Sequence, residues 1–418
     1  MLNTLQRREL ISLQRLLYAS AIGSTAGMTA VMVYSLGAFI PSLQAEFGWS
    51  RGDISLGATS LTLALFFTGS IAGRLCDRFG AAVVGAVSLV AYAIAVVVMV
   101  SFMRELHHFW IGYFLVAVLG VGSTPIVLVR PVATEFQAAR GVALGIALTG
   151  AGIAGFWVPR LVAHVTADYG WREAYFALAG IAMLTAPIVW FGFRPRSQHP
   201  ALHNATDNTT GDSEDVLIAP AEEGMSHSEA RRSRGYWVLS LMSFAMAAGM
   251  AGIVIHLVPL FIDLGVNQLE AAKMASVVGV ASVIGRMGIG YLLDKLPTVL
   301  VTISVLLLSS LGMFLLWGFG LGVSYVSVAL LGLAAGAEID LLAYLTYSYF
   351  GRRHYGAIYG WQYSIFALGY GISPYLIGRL YDVSGDYQLP LIFSGCLIVL
   401  AAISCLWLPK KGSRERVT

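Results

Sequence analysis

One arginine lies inside an apolar stretch in the second half of the chain. The stretch Val280–Lys295 reads VASVIGRMGIGYLLDK, and Arg286 interrupts its apolar run. A charge near the centre of a bilayer is costly, so such residues are usually paired or functional. The planar guanidinium offers a carboxylate two parallel hydrogen bonds, which a lysine cannot do. Arg286 is therefore predicted to bind an organic anion, and the alternative is a structural ion pair that locks the two halves together.

Two carboxylates, Glu338 and Asp340, stand two positions apart in another apolar stretch. At about 3.6 residues per turn they point roughly 200° apart, so one is predicted to line a central path and the other to pack against a neighbouring helix. Desolvation favours the neutral form of a buried carboxylate and a nearby arginine favours the charged form. Glu338 and Asp340 are therefore the two candidates for a proton-coupling residue, with the choice between them open, and the alternative is a structural hydrogen-bonding role.

Three other residues in apolar stretches have competing interpretations. Arg130 is predicted to be a gate or an ion-pair partner across the halves, with its side chain reaching the headgroups as the alternative. Arg160 is predicted to reach the headgroups. His256 titrates in a useful range for a proton relay or a substrate contact, although a lone histidine in an apolar helix more often only packs.

Composition places these residues in a membrane protein. Of the 418 residues, 57% are hydrophobic and 12% charged, against about 25% charged in a soluble domain. At about 20 apolar residues per helix, the chain accommodates about twelve spans, and its apolar runs are too long for barrel strands of about 10 residues. The sequence has no paired metal spacing, no phosphate-binding loop and no catalytic motif, which predicts neither a cofactor nor an enzyme.

The basic residues predict the orientation. Of the 26 lysines and arginines, 18 fall in segments on the same side as the N-terminus, 5 fall on the other side and 3 fall within spans. This bias predicts a multi-pass protein of the cell inner (plasma) membrane with both termini cytoplasmic. The predicted spans are Tyr18–Ile40, Ile54–Arg74, Ala81–Met103, Phe109–Thr134, Gly141–Ala163, Glu173–Phe193, Tyr236–Ile262, Glu270–Leu293, Thr298–Leu321, Val323–Tyr347, Tyr355–Ile377 and Leu389–Leu408.

The chain is internally duplicated. The motifs GRLCD and GYLLD begin at Gly73 and Gly290, and they end at Asp77 and Asp294, 217 positions apart. Two six-span halves joined by a polar linker are typical of a rocking transporter. The predicted domains are a cytoplasmic tail at 1–17, a six-helix bundle at 18–193, a cytoplasmic linker at 194–235, a second six-helix bundle at 236–408 and a tail at 409–418.

These features resemble the major facilitator superfamily. Gly73–Gly80, GRLCDRFG, matches the loop between that family's spans two and three, although Ala81 and Ala82 stand where the family usually has basic residues. The resemblance implies an all-α fold of twelve transmembrane helices in two pseudo-symmetric six-helix bundles. The glycines of span five are predicted to form a packing face that slides while the halves rock. The predicted gating and conformational residues are Asp77, Arg78, Gly73, Arg130, Asp294 and Gly290.

Within the superfamily the chain is similar to the monocarboxylate porter and oxalate/formate antiporter group. The similarity includes LQAEFGWSR, which ends at Arg51, and RGVALG, which begins at Arg140. That group binds the substrate carboxylate with an arginine of span eight, and Arg286 occupies the matching position. The antiporter's second cation, a lysine of span eleven, falls at Gln362, which argues against a dianion. The candidate substrate contacts are Arg286, Tyr34, His256, Gln362 and Tyr359.

Together these observations predict a secondary transporter that moves an organic monocarboxylate by alternating access with proton symport. The predicted partners are a small organic anion, protons and membrane lipid, without nucleic acid, and the predicted functional unit is a monomer. The tyrosines of spans ten and eleven are expected mostly at lipid-facing positions, with one or two along the path, where they would suit a larger acid. The alternatives are an anion exchanger, an exporter of amphipathic or neutral compounds, and a transporter-like sensor.

Overall fold

The computed structural model describes residues 4–194, 224–351 and 353–408, without the side chain of Asp294. Long apolar runs form helices here because lipid offers no hydrogen-bond partner, so each backbone group must find one within its own segment. The helices of the described residues are Thr4–Ser12, Gln14–Ala26, Met28–Phe47, Arg51–Phe102, Leu106–Gly120, Pro125–Leu128, Arg130–Glu135, Arg140–Tyr169, Trp171–Phe193, His227–Arg232, Arg234–Asp263, Gln268–Ala275, Val277–Lys295, Thr298–Phe319, Ser324–Phe350, Tyr355–Ser384 and Gln388–Cys405.

Nine stretches of the described chain are long and apolar enough to cross a membrane. Two of them are 52 and 53 residues long, and each contains two spans. The first divides at Gly80, whose φ of 80° is a left-handed conformation that glycine adopts without strain; the second divides at the short turn Gly320–Val323. Tyr355–Ser384 adds a 30-residue helix whose tyrosines and glycines lower its hydropathy. The described chain therefore has twelve spans, numbered one to twelve in chain order below.

Two spans are broken by short turns that place polar groups inside the first half. Span one changes direction at Gly27, where the backbone is extended, and span four is interrupted at Val121–Ser123. The breaks meet, because the hydroxyl of Ser123 accepts a hydrogen bond of 3.1 Å from the backbone N–H of Met28. These contacts satisfy backbone groups that the breaks would otherwise leave without partners.

The spans form two bundles that pack along three pairs of helices. Within the second bundle, span seven packs on span eleven, span eight on span ten, and span nine on span twelve. Between the bundles, span one meets span seven, span two meets span eleven, and span five meets span eight. The contacts between the bundles agree with the predicted duplication of the chain. The predicted fold class is confirmed. We call the end of the molecule that holds Arg51 the Arg51 end and the opposite one the Asp77 end.

The chain before span seven is attached to the second bundle. Gly224 pairs with Gly351 in an isolated β-bridge, and the backbone N–H of Met225 donates to the Phe350 carbonyl at 2.8 Å. Ser226 then caps the helix His227–Arg232 in a reciprocal capping box with Glu229. The hydrogen bonds from Ser226 hold the pKa of the Glu229 carboxyl below its ordinary value. The entry into span seven is thus fixed to the connection between spans ten and eleven.

Candidate functional site

Arg286 lies on span eight, against span ten. Its Nε donates to the Gly336 carbonyl at 3.1 Å and lies 3.9 Å from Oδ2 of Asp340. The two helices touch through their backbones, since a Cβ added at Gly336 would overlap the Ser282 carbonyl. In the described part of the chain the guanidinium makes its hydrogen bond through Nε, so its terminal nitrogens keep their donors for a ligand. Because both spans belong to the second half, this ion pair does not lock the halves together.

The two carboxylates of span ten have different surroundings. Asp340 is 31% exposed and faces Arg286. Glu338 is 5% exposed, and its Oε1 has no hydrogen-bond partner among the described residues. A buried carboxylate without a partner is costly in its charged form. Asp340 is therefore the counter-charge of the arginine, whereas Glu338 is an isolated acid.

Two tyrosines lie beside these charged groups. Tyr34 of span one is within electrostatic range of Arg286 and Glu338. A Cβ added at Gly155 of span five would lie 3.0 Å from Cζ of Tyr34, so the ring occupies the junction of the halves. Tyr359 of span eleven is within electrostatic range of Asp340. The structure thus places five predicted residues near one another beside the junction of the bundles: Arg286, Glu338, Asp340, Tyr34 and Tyr359.

Gln362 is fully buried and contacts its own bundle. Its amide nitrogen donates to the Tyr236 carbonyl at 3.1 Å, and its amide oxygen accepts from the Ser240 hydroxyl at 3.1 Å. Both ends of the amide thus have protein partners within the second half in this conformation. Its predicted role as a substrate contact stays a prediction.

His256 is also fully buried, and it joins the two halves. Its Nδ1 lies 2.8 Å from the Tyr387 hydroxyl, and its Nε2 lies 2.9 Å from the Ser55 hydroxyl. Ser55 belongs to span two, whereas His256 and Tyr387 belong to the second half. The structure therefore places His256 in an interface near the Arg51 end, and its predicted substrate contact also stays a prediction.

Arg51 is the centre of this interface. It donates to both carboxylate oxygens of Asp263 at 2.8 Å, to Gln44 at 3.0 Å and to the Tyr387 hydroxyl at 3.0 Å. The guanidinium lies 3.9 Å above the ring centroid of Tyr381. Span two thus begins with an arginine that is held almost entirely by the second half. We call Gln44, Arg51, Asp263, Tyr381 and Tyr387 the Arg51 cluster.

Glycines let the helices of the two halves touch at the Arg51 end. A Cβ added at Gly378 of span eleven would lie 2.7 Å from the Cα of Gly52 in span two. One added at Gly152 of span five would lie 2.6 Å from the Ser282 hydroxyl of span eight. Side chains larger than hydrogen would push these helices apart. The halves are therefore in close contact at this end along spans two and eleven, and near mid-helix along spans five and eight.

At the Asp77 end the same helix faces have no neighbours among the described residues. Gly145 lies seven residues before Gly152, about two helical turns and so on the same face of span five. A Cβ added there meets no atom within 4 Å, and the same holds at Gly73, Gly290 and Gly360. The halves thus meet at one end and separate at the other, which leaves the space around Arg286 open toward the Asp77 end.

Most of the predicted gating residues lie at this open end. Asp77 forms an ion pair with Arg130, which also lies 3.5 Å from the Gly73 carbonyl. Both residues belong to the first half, so the pair does not cross between the halves. Arg78 covers the ring of Phe79, and Gly290 borders open space. The side chain of Asp294, the counterpart of Asp77, lies outside the described residues.

Arg160 is predicted to reach the headgroups, but in the structure it has a hydrogen-bond partner in the other half. Its Nε donates to the Ser276 hydroxyl at 2.8 Å, and the guanidinium lies 4.0 Å above the Phe156 ring. Ser276 stands at the break in span eight, so this bond also crosses between the halves. The difference arises because the serine hydroxyl of the other half lies within hydrogen-bonding distance of the guanidinium.

The Arg51 cluster is not predicted from the sequence, because Arg51 precedes the predicted span Ile54–Arg74 and Asp263 follows the predicted span Tyr236–Ile262, where charged residues are ordinary. One signal is present in the sequence: the first residue begins span two and the second ends span seven, which places both at the same end of a twelve-span fold. Their pairing requires the three-dimensional arrangement, since 212 positions separate them.

Solved transporter structures share this fold. A D-xylose–proton symporter superposes with a TM-score of 0.70 at 15% identity, covering 96% of this chain and 98% of that one. A bacterial homologue of the human lysosomal transporter Spinster, in an inward-facing and occupied conformation, superposes with a TM-score of 0.68 at 15% identity, covering 96% of this chain and 97% of that one. At such identities the comparison concerns the fold alone.

Curated relatives are transporters. The chain is 24% identical to monocarboxylate transporter 12 of Mus musculus over 325 residues, 72% of this chain and 66% of that protein. It is 24% identical to monocarboxylate transporter 11 of Homo sapiens over 415 residues, 94% of this chain and 82% of that protein. The chain thus spans just under two thirds of the mouse relative. The prediction of a membrane transporter and not an enzyme is confirmed.

The family match extends across both bundles. The sequence model described as Major Facilitator Superfamily matches residues 22–374, from span one into span eleven. This range includes the GRLCDRFG motif, the duplicated glycine-led turns and the helices that enclose Arg286. With the two-bundle fold and the transporter relatives, it establishes that the chain belongs to the Major Facilitator Superfamily.

Proposed function

We propose that this protein is a secondary transporter of an organic monocarboxylate and that Arg286 binds the carboxylate. The observation that carries the proposal is the position of Arg286, between the bundles with its terminal nitrogens unengaged by described residues. An arginine in such a place holds a carboxylate with two charge-assisted hydrogen bonds. The similarity to monocarboxylate transporters 11 and 12 supports the same chemistry.

A single carboxylate fits this site better than a dianion. Of two other arginines at the interface, Arg51 is bound to the Asp263 carboxylate, whereas Arg160 donates through Nε to Ser276 at the break in span eight and lies over the Phe156 ring. Gln362, at the position of the antiporter lysine, is neutral and hydrogen-bonded to its own bundle. Among the described residues, Arg286 is therefore the arginine placed beside Asp340 and Tyr34, and its guanidinium balances one negative charge.

Proton coupling follows from competition for Arg286. Asp340 neutralises the arginine when the site is empty. A substrate carboxylate that binds Arg286 replaces Asp340 as the counter-charge of the arginine. The Asp340 carboxylate then becomes neutral by accepting a proton. Glu338, buried without a partner, is a second site that can hold a proton. The loaded and empty forms then carry the same net charge, which favours reorientation of both.

The conformational cycle is proposed to alternate between the two ends. The Asp77 end faces the cytoplasm, so the structure is open inward, and the termini are cytoplasmic. We propose bundles at 18–193 and 236–408, the cell inner (plasma) membrane as the location, and a monomer surrounded by lipid as the functional unit. The ion pair of Asp77 and Arg130 and the glycines Gly73 and Gly290 belong to the end that must close in the other state.

The binding role is tested by removing the guanidinium. In proteoliposomes containing purified protein, Arg286→Ala is expected to weaken carboxylate binding roughly 30-fold or more, because the anion loses both charge-assisted hydrogen bonds. Arg286→Lys should recover only part of this loss, since an ammonium cannot form the paired bonds. Arg104→Ala, in an exposed loop, is the matched control. Transport by Arg286→Ala at the wild-type rate would exclude the proposed site.

Proton symport is tested separately with an imposed pH gradient. Uptake should rise when the side from which substrate enters is acidic, and Asp340→Asn should remove this dependence by fixing a neutral side chain. Glu338→Gln tests the second carboxylate in the same way. Uptake that ignores the gradient, but accelerates when the vesicles contain a second carboxylate, would contradict symport and establish anion exchange.

A further inference from the structure

Five aromatic rings follow one another along one face of span eleven. Consecutive ring centroids of Tyr355, Tyr359, Tyr363, Phe366 and Tyr370 are 5.5, 6.1, 6.0 and 6.1 Å apart. The three-to-four-residue spacing places all five on one side of the helix. We call these five residues the aromatic face.

The contacts on the other sides of span eleven show the direction in which the aromatic face points. Gly369 and Ser373 pack against span seven, and Gly371 and Gly378 pack against span two. At about 100° per residue, the aromatic face lies between these two contact surfaces, toward the space between the bundles. The remaining side carries the exposed residues Trp361 and Leu368, where lipid is expected.

The electrostatic surroundings of individual rings agree with this direction. Tyr370 is within electrostatic range of Tyr34 in the other bundle and of Glu338 in span ten. Tyr359 is within electrostatic range of Asp340, the counter-charge of Arg286. The aromatic face therefore forms a wall of the same space into which Arg286 projects, and Tyr34 contributes a further ring from the first bundle.

Part of this wall is available to a ligand. Tyr363 is 43% exposed although it faces the interior of the molecule, and Tyr359, Tyr370 and Tyr34 are only partly buried. A wall that served packing alone would have its rings covered by protein. Aromatic rings prefer offset-stacked or edge-to-face partners at 4.5–7 Å, and such pairs gain stability beyond simple burial of area.

We infer that the transported monocarboxylate carries an aromatic ring. The inference rests on the proposed function, because Arg286 must hold the carboxylate for the rest of the molecule to reach the aromatic face. A carboxylate at Arg286 leaves its hydrocarbon part beside Tyr34, Tyr359 and Tyr370. The site thus combines one guanidinium with several ring faces, which matches an aryl or arylalkyl acid and gives a short aliphatic acid few contacts.

The test compares acids that differ only in the ring. Phenylacetate, cyclohexylacetate and propionate are measured on the full-length protein by ligand-induced thermal stabilisation and by competition for uptake. Cyclohexylacetate has the same carboxylate and a ring of similar size but no π face. Phenylacetate should bind roughly two- to tenfold more tightly than cyclohexylacetate, and propionate should bind most weakly. Equal or tighter binding of cyclohexylacetate would overturn the inference.

Two variants test whether the aromatic face causes the preference for phenylacetate over cyclohexylacetate. Tyr359→Leu and Tyr370→Leu should each reduce the ratio of the two dissociation constants, whereas Tyr325→Leu, exposed at the Arg51 end of span ten, should preserve it. The ratio is internal to each variant, so a partial loss of folded protein does not alter it. An unchanged ratio in both test variants would overturn the inference. Failure of every carboxylate to bind wild-type protein would instead reject the proposed function.

Discussion

The two ends of the molecule each contain an arginine–aspartate pair, but the pairs have different relations to the interface. Arg51 and Asp263 join the two bundles, and their side chains are 8% and 29% exposed. Arg130 and Asp77 both belong to the first bundle, and their side chains are 41% and 59% exposed. An ion pair can hold a conformation only if its partners separate when that conformation changes. The Arg51 pair meets this condition, and the Asp77 pair does not.

The glycines extend this comparison to the helix backbones. Gly152, near the middle of span five, is in contact with span eight, whereas Gly145, two turns nearer the Asp77 end on the same face, meets no described atom. The unoccupied positions are the ones that must come together when the Asp77 end closes. In the proposed cycle, both ends would close through contacts between small residues.

The largest expected effect comes from Asp263→Ala, which leaves the largely buried Arg51 without its carboxylate partner. Removing one partner of a fully buried pair costs about 3–5 kcal/mol, and the partial exposure of Asp263 reduces this to about 2–3 kcal/mol. The population should shift toward the state closed at the Asp77 end. A cysteine introduced by Gly145→Cys should react with a thiol reagent more than tenfold more slowly in the Asp263→Ala background than in the protein that keeps Asp263. The extent of labelling is measured by peptide mass spectrometry.

The control for this variant is an ion pair at the same end within one bundle. Glu46 accepts from Arg172 at 2.6 Å, and both residues belong to the first half. Glu46→Ala should leave the labelling of Gly145→Cys unchanged. If Asp263→Ala also leaves it unchanged, the Arg51 cluster does not hold the observed conformation.

An intermediate effect is expected from Gly145→Trp. The indole has room in the open conformation, but it prevents close approach of the helices when the Asp77 end closes. Transport should fall at least tenfold while substrate-induced thermal stabilisation persists. Gly180→Trp is the matched control, because an added Cβ there also meets no atom within 4 Å, on a helix outside the interface. Full transport by Gly145→Trp would show that these faces do not meet.

The smallest effect on this conformation is expected from Asp77→Asn. Exposed ion pairs contribute about 0–1 kcal/mol to stability. The labelling rate of Gly145→Cys should therefore change by less than about fivefold. A shift as large as that of Asp263→Ala would mean that the exposed pair also controls the conformation, and it would remove the contrast between the two ends.

The fold and the candidate binding residue, Arg286, could be predicted from sequence because both depend on local composition. Apolar runs of about 20 residues specify spans, and the duplicated motifs at Gly73 and Gly290 specify two halves. Arg286 is conspicuous because its neighbours along the chain are apolar. None of these inferences requires knowledge of which helices touch.

The remaining features depend on contacts between distant segments. Arg51 lies at a span end, where a basic residue is ordinary, and only its contact with Asp263 reveals its role. Arg130 was predicted to pair across the halves or to reach the headgroups, but its partner is Asp77 of the same half. The sequence likewise predicts that the glycines of span five form a packing face, but it does not show which of them contact another helix.

The rigid contact between spans eight and ten has an electrical consequence. Because Gly336 packs directly on the backbone at Ser282, we expect Arg286 and Asp340 to move together when the halves reorient. Moving one elementary charge across the membrane potential changes the free energy by about 2.3 kcal/mol per 100 mV. In the proposed cycle the empty pair is neutral, and a bound anion with one proton preserves that neutrality. Transport should therefore be insensitive to voltage, and the pH difference alone should determine its direction at equal substrate concentrations.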